Sequence, residues 1–272
     1  MNIPSIRLAD GKDIPQIGLG LWQVTNENEF KTAFDAAIKY GYRHFDSAQA
    51  YRNEQMLGQA IKDSGLKREQ LFITTKIAVQ HFGDKSSRKS IEESLRKLDM
   101  DYVDLLLLHF PVTGLRKSTW KVAEETKKQG LAKSIGVSNY TIKHLKQLES
   151  YAEIMPAVDQ VEMHIFLQQQ ELNNYCREQK IVIEAYSPLA HAKEMDNDLI
   201  KRLAEKYNKS YAQIMLRWAM QRDVVVIPKS VNPERIKENM DILDFELSEE
   251  DMEQIKQLNQ DMHTCWNPEL VP

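Results

Sequence analysis

The sequence is short of the features that mark specialised protein classes. Its 272 residues include only two cysteines, Cys176 and Cys265, far apart and outside any CxxC pair. A disulfide framework or zinc site is therefore not expected. Positive charge is not in excess, with 36 basic residues against 40 acidic ones and a net charge of -4. A nucleic acid or a membrane surface would favour a basic patch, so neither is the expected partner. Long apolar runs are missing too. The stretch from Met1 to Arg7 lacks the core of a signal peptide, and Leu105 to Leu108 is far too short to span a bilayer. A cytoplasmic protein is expected. No proline-rich linker or low-complexity tract interrupts the chain, which is read as one domain, residues 1–272. Glycine is absent at one informative place. Ile17-Gly18-Leu19-Gly20 begins like a dinucleotide fingerprint, but Gln23 stands where GxGxxG needs its third glycine, so the Rossmann reading fails.

What is present is a long alternation of strand and helix patterns. Ser5 to Leu8, a turn at Asp10-Gly11 and Asp13 to Pro15 read as a hairpin able to plug one end of a barrel. From Asn28, the residues Phe30, Ala33, Phe34, Ala37 and Ile38 recur at helical spacing, with Gly41 as a stop. The strand Arg43 to Phe45 follows, then a helix with Met56, Leu57, Ala60 and Ile61 on one face. Further strands are expected at 71–75, 103–108, 133–137, 157–161, 181–185 and 224–227. Helices are expected at 91–98, 120–129, 141–149, 168–179, 197–222 in two pieces, 233–240 and 247–258. The apolar run Val103 to Leu108 fits a strand buried on both faces. Repeated βα units call for a parallel sheet covered by helices, and with the strand before Asp46 counted as the second the series reads as eight, which favours a closed (β/α)8 TIM barrel.

In such a barrel the residues just after each strand share the carboxyl-end rim. They are Asp46 and Tyr51, Lys76, His109, Ser138 and Asn139, Gln160 and Glu162, Tyr186 and Ser187, and Lys229 and Ser230. Singly, each has a plain structural explanation, such as a helix cap or a solvated side chain. Together they make a chemical proposal. A phenol has a pKa near 10, and a neighbouring ammonium brings it down. Lys76 is placed to supply that charge to Tyr51, and Asp46 to keep the buried lysine protonated. His109 can donate a hydrogen bond to a substrate oxygen. A tuned proton donor without an activated nucleophile or metal ligands suits carbonyl reduction, which needs a nicotinamide cofactor. Tyr186 offers a ring for stacking, Ser138, Asn139 and Gln160 can hydrogen-bond a carboxamide, and Lys229, Ser230 and Arg235 suit a phosphate.

At this point the chain resembles the aldo-keto reductases over nearly its whole length, in the compact microbial-type branch. The matching pieces are Gly18-Leu19-Gly20-Leu21-Trp22, Asp46-Ser47-Ala48 with Tyr51-Arg52-Asn53-Glu54 and Gly58, Leu71 to Lys76, Leu106 to His109, Gly136 to Asn139, Tyr186 to Leu189, and Ile227 to Ser230 with Arg235, Glu238 and Asn239. The resemblance implies Tyr51 as general acid, Lys76 and Asp46 as its tuning pair and His109 as the orienting group. It places Ser138, Asn139 and Gln160 at the carboxamide, Tyr186 on the nicotinamide ring, and Ser187 and Leu189 along the pyrophosphate. Lys229, Ser230, Val231 and Arg235 would surround a 2′-phosphate, with Glu238 and Asn239 at the adenine, which implies NADPH. Departures fall in the substrate pocket, where Phe110, Ala78 and Ile165 replace the residues usual in the family. The segment 191–197 is also short for a loop over the cofactor. The expected pocket walls are Trp22, His81, Phe82, Phe110 and Trp266. A monomer acting on a small carbonyl compound is expected. Two alternatives stay open, a nicotinamide-binding regulatory subunit with little turnover and a Schiff-base lyase using Lys76.

Overall fold

The repeated βα pattern becomes eight parallel strands in the computed structural model, which describes residues 3–192 and 197–272. The chain opens with the antiparallel hairpin of β1 (Ser5–Arg7) and β2 (Asp13–Pro15), turned at Gly11 with φ +82°. The parallel strands are β3 (Leu19–Gly20), β4 (His44–Asp46), β5 (Phe72–Ile77), β6 (Val103–Leu108), β7 (Ala132–Ser138), β8 (Val158–Glu162), β9 (Val182–Tyr186) and β10 (Val225–Val226). They lie side by side in chain order. The edges meet: Gly18 N donates to Val226 O at 2.9 Å and Gly20 N to Pro228 O at 3.1 Å. The barrel is therefore closed.

The intervening helices are α1 (Glu27–Lys39), α2 (Glu54–Ser64), α3 (Asp84–Leu98), α4 (Arg116–Lys128), α5 (Ile142–Glu149), α6 (Gln170–Glu178), α7 (Asp198–Tyr207), α8 (Tyr211–Met220) and α9 (Pro233–Met240), with α10 (Glu249–Lys256) after the barrel. In α1 the expected face is buried through Phe30, Ala33, Phe34 and Ala37, and the Asn26 side chain caps the first turn by accepting from Asn28 N and Glu29 N. Two helices start earlier than apolar spacing indicates. α3 begins at Asp84 rather than Ile91 and α4 at Arg116 rather than Trp120. Their first turns are largely polar, so a hydrophobic period cannot register them. Among the described residues no helix is long and apolar enough to cross a membrane.

Alternation along each strand divides the core in two. Leu106 and Leu108 point outward into the layer between sheet and helices, where Phe34 stacks on Phe45 at 4.7 Å. Leu105 and Leu107 point inward, with Phe72, Val158 and Val225, onto Leu8 and Ile14 of the hairpin. The hairpin plugs the amino end. The interior is tight at Gly136, where a Cβ would lie 2.5 Å from Val158 O and 2.7 Å from Leu107 Cδ2. Above this apolar floor the inward residues become polar.

Candidate active site

β4 and β5 pair with Asp46 opposite Thr74, which sets Lys76 one inward step above. Lys76 is fully buried. Its ammonium donates to Asp46 Oδ1 at 2.5 Å, to Ser47 O at 3.0 Å and to the Tyr51 hydroxyl oxygen at 3.2 Å. An ammonium has three donors, and all three are used. Burial pulls the Lys76 pKa down, but Asp46 and Tyr51 outweigh it, and the net shift is upward. The lysine is held charged, which removes the lone pair a Schiff-base lyase would need.

Tyr51 differs from the sequence expectation. Its pKa is raised rather than lowered, because burial outweighs the pull of Lys76 and Asp46 adds to the rise. The phenol is kept protonated, and Lys76 limits the cost of losing that proton. Since the phenol oxygen accepts from Lys76, its own hydrogen is free for a substrate. His109 directly follows β6, with its ring 5.7 Å from that of Tyr51, edge to face. Burial, with Lys76 adding to it, holds this imidazole down at about pKa 3. It is a neutral ring with one N–H, and its nitrogens have no hydrogen-bond partner among the described residues.

These residues share a cavity of about 1180 Å³ with Trp22, Phe110, Ser138, Asn139, Gln160, Tyr186, Ser187, Leu189, Lys229 and Trp266. Two expected walls are not there. His81 turns back to Gln49, with Nδ1 2.9 Å from Gln49 Oε1, and Phe82 is buried in the outer core. The short 3-10 turn Val79–His81 presents Val79 and Gln80 to the cavity instead. Ala78 and Ile165 are buried outside the cavity lining. The expectation of a short loop at 191–197 falls largely on 193–196, outside the described residues. Gln23, Arg52, Asn139, Ser187 and His191 line the rim with φ between 47° and 65°. Such left-handed backbone at non-glycine residues is concentrated at functional sites.

The carboxamide candidates are already linked to one another. Asn139 Nδ2 donates to His109 O at 3.2 Å and Ser138 Oγ at 3.0 Å, Asn139 Oδ1 accepts from the Tyr186 hydroxyl at 2.7 Å, and Ser138 Oγ donates to Gln160 O at 2.9 Å. What they leave open are acceptor positions, which fit the NH2 of a carboxamide. Lys229 lines the cavity, and Arg235 is exposed on the first turn of α9; neither makes an ion pair among the described residues. Ser230 Oγ accepts from Asn232 N at 3.1 Å, and Val231 and Glu238 are half-buried nearby. Asn239 is buried on the inner face of α9 with Ile236 and Met240. The cluster fits a nucleotide phosphate: two uncommitted cations beside a helix start.

The sequence placed Glu162 at a strand end without giving it a task. Its carboxylate accepts from Thr264 N at 2.8 Å and Cys265 N at 3.2 Å, and from the Thr264 hydroxyl. Burial opposes its charge, but hydrogen bonds from His164, Thr264 and Cys265 outweigh that and hold the carboxyl at about pKa 2. This tie brings Trp266 onto Phe110, with ring centroids 4.4 Å apart. No local motif announces it, because the partners are 102 residues apart.

The sequence pattern of the Aldo/keto reductase family matches residues 16–260. This chain is a member of the aldo/keto reductase family. It is similar to glyoxal reductase of Bacillus subtilis (strain 168), 46% identical over 265 residues that cover 97% of this chain and 96% of the relative. It is also similar to methylglyoxal reductase DkgA of Escherichia coli (strain K12), 43% identical across 95% of this chain and 94% of the relative. Among solved structures, an aldo-keto reductase of Bombyx mori in complex with NADP superimposes with a TM-score of 0.92 at 34% identity, covering 97% of this chain and 95% of that one. Like the family, this aldo/keto reductase reduces aldehydes and ketones with NADPH.

Proposed function

We propose that the chain reduces small α-oxoaldehydes, of the glyoxal and methylglyoxal type, with Tyr51 as the proton donor. The observation that carries the assignment is the placement of Lys76, which touches Asp46 on one side and the Tyr51 oxygen on the other. NADPH, when bound, supplies hydride to the carbonyl carbon. His109, neutral and with a free N–H, orients the carbonyl oxygen toward Tyr51. The phenol gives its proton to that oxygen, and the phenolate left behind faces the Lys76 ammonium until water restores the proton. Asp46 keeps Lys76 charged throughout. Proton donation of this kind contributes roughly 10² to 10⁴ in rate.

Ser138, Asn139, Gln160 and Tyr186 are assigned to the nicotinamide end, Ser187 and Leu189 to the pyrophosphate, Lys229, Ser230, Val231 and Arg235 to the 2′-phosphate, and Glu238 and Asn239 to the adenine. Trp22, Phe110 and Trp266 are assigned to the substrate wall. The names of the two bacterial relatives support the substrate class. We read residues 1–272 as one domain, acting as a cytoplasmic monomer. The test is NADPH consumption with glyoxal, methylglyoxal and simple aldehydes. Turnover should be fastest with the α-oxoaldehydes and much slower with NADH. No turnover with any α-oxoaldehyde would overturn the substrate assignment, and equal rates with NADH would overturn the phosphate assignment.

A further inference from the structure

Directly beneath the site, two buried titratable residues take no part in the chemistry described above. Gln160 Nε2 donates to Asp46 Oδ2 at 2.8 Å and to Glu184 Oε2 at 2.7 Å. Both amide hydrogens are thereby spent on carboxyl groups, and a flipped amide would set its oxygen against both. Gln160 Oε1 has no partner among the described residues, and Gln160 lines the cavity. The amide oxygen is therefore the acceptor left for a ligand.

Glu184 and His44 are both fully buried, with Glu184 Oε1 3.3 Å from His44 Nε2. On the other side of the ring, His44 Nδ1 lies 3.3 Å from Pro15 O. A backbone carbonyl only accepts, so Nδ1 carries the hydrogen of the neutral imidazole and Nε2 is an acceptor. Glu184 Oε1 has no hydrogen-bond partner as a carboxylate oxygen; only if it carries a proton does the approach to His44 Nε2, an acceptor, become favourable. Thr74 Oγ1 approaches the same nitrogen at 3.4 Å. The ring packs over Gly18, where a Cβ would lie 2.7 Å from Nδ1.

We propose that protonated Glu184 and neutral His44 form a positioning pair that shares one proton and holds the Gln160 amide with its oxygen toward the cofactor's carboxamide. This rests on the reading that Gln160 faces the carboxamide. The pair also keeps the negative charge beside Lys76 at one. The charged or titratable groups facing Glu184 are His44 and Asp46 from β4, Lys76 from β5 and Tyr51 from the loop after β4, while β8 and β10 set Gln160 and Val225 beside it. The electrostatics agree with the geometry. Burial and Asp46 push Glu184 up to about 8, and burial holds His44 down at about 3. Above pH 8 the pair loses its proton, and a second negative charge appears next to Asp46.

The test compares wild type with Glu184→Gln, Glu184→Ala and Gln160→Ala. Glutamine at 184 can still accept from Gln160 and donate to His44, and alanine can do neither. Infrared difference spectra of the cofactor-free protein at pH 7, wild type minus E184Q, should show a protonated carboxyl band that fades as pH passes about 8. NADPH affinity, read by fluorescence, should fall roughly five- to tenfold in E184A, the effect of about one hydrogen bond. In E184Q it should return to within about twofold of wild type and lose the weakening that wild type shows above pH 8. Absence of the carboxyl band overturns the shared proton, whatever Gln160 does. A band with wild-type affinity in E184A overturns the positioning role. If E184A does not fold, an alkaline weakening that persists unchanged in E184Q overturns it instead. Wild-type affinity in Q160A shows that the carboxamide reading itself has failed.

Discussion

The two ends of the barrel interior are built from the same strands by the same alternation, yet they are different materials. At the amino end, inward positions carry Phe72, Leu105, Leu107, Val158 and Val225, sealed by Leu8 and Ile14. Toward the carboxyl end, β4, β5, β8 and β9 carry His44 and Asp46, Lys76, Gln160 and Glu184, all buried. The floor is stabilised by apolar area removed from water, about 25 cal/mol per Å². The upper half contains charge that is tolerated only where each ion has its partner. The difference teaches where stability resides and where chemistry does. A polar interior adds little stability but gives a phenol a compensated ammonium that no solvent-exposed lysine could supply.

The sharpest way to break this contrast is Lys76→Met. It should lower kcat/KM by about 10² to 10⁴, and it should cost roughly 3 to 5 kcal/mol because Asp46 is left charged and unpaired. Adding Asp46→Asn should return much of the stability and none of the rate, as read by thermal melting and steady-state kinetics. Recovery of rate in the double variant would mean that the pair tunes nothing. The opposite end should respond in the opposite sense. Ile14→Ala should cost about 2 to 5 kcal/mol and leave kcat/KM unchanged below its melting range. A loss of rate there would show that the plug and the site are coupled.

A milder probe is pH. His44 and His109 titrate near 3 in the folded protein against an ordinary 6.5, so the unfolded chain takes up their protons first. Their contribution is complete above pH 6.5 and is lost as pH falls toward 3. Glu184 acts on the other side. Its value of about 8 lies above the ordinary 4.5, so its contribution is complete below pH 4.5 and is lost as pH rises through 8. Melting temperature should therefore peak near pH 6.5, and E184Q should flatten the alkaline limb. A profile in E184Q identical to wild type would contradict the assignment. The smallest effect is expected at the exposed rim, where Arg235→Ala should weaken NADPH about three- to tenfold in low salt and leave NADH unchanged. Equal losses for both cofactors would move Arg235 away from the 2′-phosphate.

The fold was legible because each helix buries a face whose period survives in the sequence, as Phe30, Ala33, Phe34 and Ala37 do in α1. Tyr51, Lys76 and His109 were legible because strand ends converge whatever the loop details. His81 and Phe82 were misplaced because a 3-10 turn decides which neighbours face the cavity, and Val79 and Gln80 do. The raised pKa of Tyr51 was hidden for a different reason: a sequence shows which charges are near but not how little water is. Glu184 and His44 needed the strand register itself, which pairs Gln160 with Glu184 across β8 and β9.

Tyr51→Phe is the most direct test of the account, because it removes one hydroxyl and leaves the ring, Lys76 and Asp46 in place. Single-turnover reduction of methylglyoxal by prebound NADPH should slow by about 10² or more, with NADPH affinity unchanged. A rate within a few-fold of wild type would contradict it, and the proton would have to come from His109 or water.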